Sequence, residues 1–261
     1  MSFLRRFLKK KTKSGKIVYG LDSQIVGEIS AILNEGSPAI QAYEITTKDS
    51  GMKLSFPTAQ FFIDESGRII LLPEWCYHVR VSCSKLSELE RRHLELSNLR
   101  ETLEPETFRG HMIEILKSSI PCEEEITRHL TKFEELLIEL AKQKTQITDE
   151  TTRLMTRRLL EYGQEADKAT SARLDRKQYS LKIIELRKEY ANISQLMHFV
   201  SDLYEDTKAS SRFFEKLLDV FNREKEGVEE IGDLGKRAQD IRNREDEVMG
   251  ILDNLIESLT T

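Results

Sequence analysis

The chain has 261 residues, 39% apolar and 33% charged, with a formal net charge of −5. It is too polar and too lean in large side chains for one compact core, which predicts an elongated protein. No run approaches the ~18 apolar residues needed to cross a bilayer and no cleavable apolar leader follows the N-terminus, so the expected compartment is the cytoplasm.

The first 21 residues hold seven basic side chains and no acidic one. As a helix, residues 1–14 place Phe3, Leu4, Phe7 and Leu8 on one face, with Arg5, Arg6, Lys9, Lys10 and Lys11 around the other side. Such a basic amphipathic segment lies in a headgroup layer, each cation contributing about 1 kcal/mol near an anionic surface. The expected contact is therefore an anionic membrane surface; a solubilising tail or a nucleic-acid arm is the competing account.

From residue 15 to 78 the style changes to short β-rich runs at Ile17–Leu21, Ile25–Leu33, Ala39–Thr46, Gln60–Ile63 and Arg68–Leu72. Turn signals at Asp22-Ser23, Asn34-Glu35-Gly36, Lys48-Asp49-Ser50-Gly51 and Asp64-Glu65-Ser66-Gly67 separate them, predicting a small barrel or sandwich. Three segments carry a family resemblance: Gly15-Lys16-Ile17-Val18-Tyr19, then Asp22-Ser23-Gln24-Ile25-Val26-Gly27, then Leu54-Ser55-Phe56-Pro57-Thr58-Ala59-Gln60. On these residues the segment resembles the PRC-barrel family. The resemblance implies that the D-x-x-x-x-G segment joins the first two strands, that the Pro segment makes a short helical turn before the last two, and that the domain docks rather than catalyses.

Pro73-Glu74-Trp75 is expected to close the barrel, and a helix to start at Ser84 or Ser87, whose hydroxyls suit an N-cap. Pro105 interrupts that helix, residues 106–118 form a short amphipathic piece, and Ser118 to Glu125, with Pro121 and three carboxylates, reads as a new helix start near 120. Ile126, Leu130, Phe133, Leu137, Leu140, Ile147 and Leu154 keep heptad spacing beyond it. Between Gly163 and Lys177 the large apolar residues vanish, leaving either a thin coil or a bend that folds two arms back antiparallel.

The strongest repeat follows. Tyr179, Ile183, Leu186, Tyr190, Ile193, Met197, Val200, Tyr204, Thr207, Ser211, Phe214, Leu218 and Phe221 alternate spacings of four and three, a narrow seam that only a second helix can cover. Its adjacent polar lapses, Thr207 and Ser211, read as its weakest turns, so leucine at both should raise thermal stability. The whole predicts an α+β protein, a small PRC-like β-barrel followed by a long α-helical coiled coil over 84–226. A glycine hinge at 227–235 (Gly227, Gly232, Gly235) and an amphipathic segment at 236–261 complete it, the latter offering Ile241, Val248, Leu252, Leu255 and Leu259 to a partner.

Catalytic signals are missing. His78, His93, His111, His129 and His198 lack ligand spacing, Cys76, Cys83 and Cys122 lack CxxC spacing, and no phosphate loop, dinucleotide fingerprint or nucleophile elbow occurs. The expectation is no enzyme, no cofactor and no metal. The order of tip, barrel, coil, hinge and tail is similar to the CdvA family of archaeal cell-division scaffolds. That resemblance implies self-assembly as a homodimer or filament at the inner membrane face of the midcell division site, association with DNA, and recruitment of the ESCRT-III-like protein CdvB. It also implies a tail that adds as an extended strand, whereas Ile241 to Leu259 has helical period here. The second expectation is a PRC-barrel coiled-coil adaptor for nucleic acid or a ribonucleoprotein or nucleoid partner.

Overall fold

A computed structural model describes residues 15–21, 24–34, 41–64, 66–164, 171–224 and 230–260. They are mixed α+β and fall into two compact units, divided between Val81 and Ser82.

In the first unit β1 (Lys16–Tyr19), β2 (Ile25–Leu33), β3 (Ala42–Thr47), β4 (Lys53–Pro57), β5 (Phe61–Ile63) and β6 (Ile69–Leu71) form one sheet ordered β4-β3-β2-β1-β6-β5. Neighbours are antiparallel except β1 and β6. β4 and β5 stand at the edges, so the sheet curls into a half-barrel and not the closed barrel expected. Its buried side holds Val18, Ile29, Tyr43, Ile45, Phe61 and Ile69, and Tyr43 meets Phe61 edge-on with ring centroids 5.1 Å apart.

Strand β4 is not among the expected runs, since Leu54 to Pro57 belong to the segment expected to make a helical turn. At an edge, however, proline costs no ladder hydrogen bond, and the helical turn shrinks to one 3-10 turn over Thr58–Gln60. A Cβ on Gly27 would overlap the Thr46 carbonyl oxygen and come within 2.8 Å of Ile45 Cγ2. Only glycine lets β3 approach there. In the β5–β6 turn Asp64 accepts from Ser66 Oγ (2.6 Å), Arg68 N (2.9 Å) and Arg68 Nε (2.8 Å). Burial pushes that carboxyl up, but these donors outweigh it and hold it below its ordinary value.

Helix α1 spans Glu74–Asn98, starting ten residues before the expected Ser84. Pro73 and Glu74 are therefore a helix start and not a barrel closure. Cys76, Val79, Cys83 and Leu86, spaced three, four and three, are all buried and carry the apolar stripe through the stretch that reads as linker.

Three further helices complete the second unit: α2 (Pro105–Gln164), α3 (Ser171–Glu224) and α4 (Glu230–Thr260). Pro105 opens α2, where its missing N–H costs nothing. Pro121 overturns the expected restart near 120 by lying inside α2. It sits on the exposed face, while Ile120, Cys122, Glu123 and Ile126 pack inward, and that packing outweighs the one backbone bond proline removes.

Residues 165–170 lie outside the described residues, but the helices on either side settle which way the chain runs. Phe133 meets Tyr204 (centroids 5.9 Å), Lys144 Nζ lies over Tyr190 (5.2 Å) and Arg157 over Tyr179 (5.8 Å). Numbers rising along α2 pair with numbers falling along α3, so the two helices are antiparallel. α4 returns along both, bringing Glu245 to Ser211 and Thr127, and Arg237 to Glu124. The expected hinge at 227–235 is only partly visible. Residues 225–229 lie outside the described residues, but Gly232 and Gly235 are helical. A Cβ on Gly235 would stand 3.2 Å from Phe221 Cε1, so that glycine serves close packing.

Candidate functional site

The nine residues expected to contact a membrane (Phe3, Leu4, Arg5, Arg6, Phe7, Leu8, Lys9, Lys10, Lys11) lie outside the described residues. The assembly seam is described, and its own chain covers most of it. Ile183, Leu186, Ile193, Met197, Val200, Tyr204, Phe214, Leu218 and Phe221 are buried, Tyr179 is half-buried and Tyr190 is 38% exposed. From Ile193 onward the stripe is wider than the spacing predicts, since Leu196, Leu203, Phe213 and Leu217 are buried too. Two neighbouring helices need a broad face where one needs a narrow seam.

The face expected to meet a partner is likewise occupied. Ile241 and Leu252 are buried, and Val248, Leu255 and Leu259 are half-buried. Leu255 and Leu259 line an open apolar groove with Ile138, Ala141, Lys142 and Thr145 of α2, so α4 docks on α2 as well as α3.

Where these three helices meet, the packing changes from apolar to polar. Glu123 of α2 and Glu245 of α4 are both fully buried, and Ser211 of α3 is 1% exposed. Ser211 Oγ donates to Glu245 Oε2 at 2.9 Å and accepts from Arg242 Nη1 at 2.5 Å. Thr127 Oγ1 reaches Glu245 Oε1 at 3.1 Å, and Arg242 Nη1 stands 3.8 Å from Glu245 Oε2. Arg242 also pairs with Asp246 at 2.9 Å and Glu215 at 3.4 Å, so its charge is shared among three carboxyls.

Glu123 is treated differently. Among the described residues no hydroxyl, amide or basic group donates to either of its oxygens. Burial, then the Glu245 charge, push Glu123 well above the ordinary carboxyl range. Burial pushes Glu245 up as well, but Ser211, Thr127 and Arg242 favour its charged form. Glu123, one turn before the Thr127 that reaches Glu245, thus stands in the same buried layer, where burial favours its protonated acid.

A second polar tie stands two turns further along α4. The Tyr204 hydroxyl is shared between the Met249 carbonyl and Asp253 Oδ1, each at 3.1 Å, and Lys208 Nζ reaches the same Asp253 oxygen at 3.0 Å. Burial and the Asp253 charge raise the Tyr204 phenol, which stays a donor.

The acid pair was missed by the sequence reading, although its signal was there. Glu123 stands three before Ile126, and Glu245 four after Ile241 and three before Val248, so both occupy seam positions. With Ser211 they are the polar lapses of three separate seams, and the fold brings them to one layer. The cysteines are buried, and burial pushes the Cys83 thiol up to about 11, so it packs as a small apolar group. Compared with protein-family models, curated proteins and solved structures, the chain matches none.

Proposed function

We propose that this chain is a non-enzymatic scaffold of the archaeal cell-division type. Its β unit is an adaptor, its basic tip touches an anionic inner membrane face at midcell, and α4 is the segment that recruits an ESCRT-III-like CdvB. The observation that carries this reading is the half-barrel itself. Gly27 of the D-x-x-x-x-G segment stands where no side chain fits, and the turn after Pro57 precedes the last hairpin, as the PRC-barrel resemblance implies. Self-assembly draws support from the part of α2 and α3 that α4 does not reach, where Leu159 is 72%, Leu160 65%, Leu181 52% and Ile184 50% exposed. Such apolar surface is what pairing of chains, in a coiled coil or filament, would cover. Among the described residues no helix is long and apolar enough to cross a membrane, which leaves the tip as the means of attachment.

Co-precipitation of purified CdvB with the full chain and with a chain lacking residues 236–261 tests the assignment. The reading expects capture by the full chain and at least a tenfold loss on truncation. Equal capture by both would sink it. A chain that instead captured DNA, with affinity falling steeply as salt rises, would favour the nucleic-acid adaptor.

A further inference from the structure

We infer that the Glu123–Glu245 pair is a proton-operated latch: the proton on Glu123 holds α4 against α2 and α3, and its loss releases α4. The latch rests on residues of this chain and holds whichever partner α4 meets.

The geometry supplies each part. The two carboxyls come from different helices, both are fully buried, and Thr127, one turn after Glu123, reaches Glu245 at 3.1 Å, which puts two desolvated acids in the layer that joins α2 to α4. With the proton in place, Glu123 adds no charge to the layer in which Glu245 accepts from Ser211 Oγ. Without it, two negative charges lie buried in one layer, and separating the helices that carry them relieves that cost.

Neighbouring charges do not rescue the deprotonated pair. From α4, among the described residues, Arg242 is the cation on the site, and Glu245, Asp246 and Glu215 already share it. From α3, Asp206 and Glu215 add negative charge. From α1, Cys83 is a buried thiol that feels Glu123 and Asp206, and Lys85 acts on Cys122. From α2, Glu124 is bound outward to Arg237, both contacts at 2.7 Å.

The sign follows. A carboxyl whose folded value is raised contributes stability that is complete below its ordinary value of 4.5, and that is lost as pH climbs through the raised one. Within that window the fraction of chains with α4 released should rise up to about tenfold per pH unit. His93 works in the opposite direction below its ordinary 6.5, since burial lowers it, and the buried thiols add a loss above pH ~9. Comparison with a variant at each pH removes both.

Glu123→Gln keeps the shape but cannot ionise. Thermal unfolding should be measured for the full chain and this variant from pH 4.5 to 8.5, with trypsin cleavage at Arg242 and Arg244 in α4 compared over the part of that range where the protease works. The latch predicts that cleavage of the full chain outpaces the variant by a ratio that grows with pH, and that its unfolding midpoint falls relative to the variant's. A constant ratio and parallel midpoints would overturn it. Should Glu123→Gln fail to fold, Glu245→Gln serves, since it removes the opposing charge. Burial of Glu123 remains there, so a weaker pH dependence supports the latch, and an unchanged dependence refutes it.

Discussion

Ser211 shows how far a residue's role depends on what stands opposite it. In the linear chain Ser211 and Thr207 are gaps in an apolar seam, and filling gaps stabilises. In the fold Thr207 is wholly buried with its hydroxyl on the Leu203 carbonyl, and Ser211 bridges Glu245 and Arg242. The structure thus reverses the sign: Ser211→Leu strands a buried carboxylate, a cost of about 1–3 kcal/mol. A fall of several degrees in the thermal midpoint is expected, with Thr207→Leu much milder. A raised midpoint for Ser211→Leu would return both residues to being defects. Gly27 is the opposite case. Its place in the motif was legible, but the reason for it, the carbonyl of Thr46 lying where a Cβ would go, exists only once β2 and β3 are paired.

At the scale of elements, periodicity predicted what was long and missed what was local. The seam of α3, the heptads of α2 and the strand β2 were all legible, because each repeats its burial pattern over many residues. Boundaries failed where one residue type outvoted its surroundings. The helical turn expected of the Pro57 segment hid an edge strand, the stretch after Trp75 hid the first turns of α1, and Pro121 suggested a break that packing overrides. Proline inside a helix costs about 3 kcal/mol through a lost bond and a clash with the carbonyl four residues earlier. Pro121 is exposed, so nothing in the core depends on its ring. Pro121→Ala should restore the bond to the Lys117 carbonyl and raise the thermal midpoint by several degrees, whereas a fall would mean that the ring shapes α2 for its partners.

For the whole molecule, the sequence distinguished a β unit from a helical one but could not say what covers the seam, since a 3.5-residue repeat is satisfied equally by another chain or by a returning one. The contacts of Phe133, Lys144 and Arg157 with Tyr204, Tyr190 and Tyr179 answer this within one chain, and α4 then fills the remaining groove. Beyond these packed helices, Leu159, Leu160, Leu181 and Ile184 leave apolar surface exposed on α2 and α3. The most direct test is a spin–spin distance between labels at Arg153 of α2 and Lys182 of α3, both exposed, with the native cysteines replaced by alanine. Antiparallel packing within one chain predicts a single distance of about 20 Å, from helix axes 8–10 Å apart plus label reach, unchanged when labelled protein is diluted with unlabelled. A distance near 44 Å, the span of the intervening residues at 1.5 Å each in an unbroken helix, or a short distance that vanishes on dilution, would contradict it.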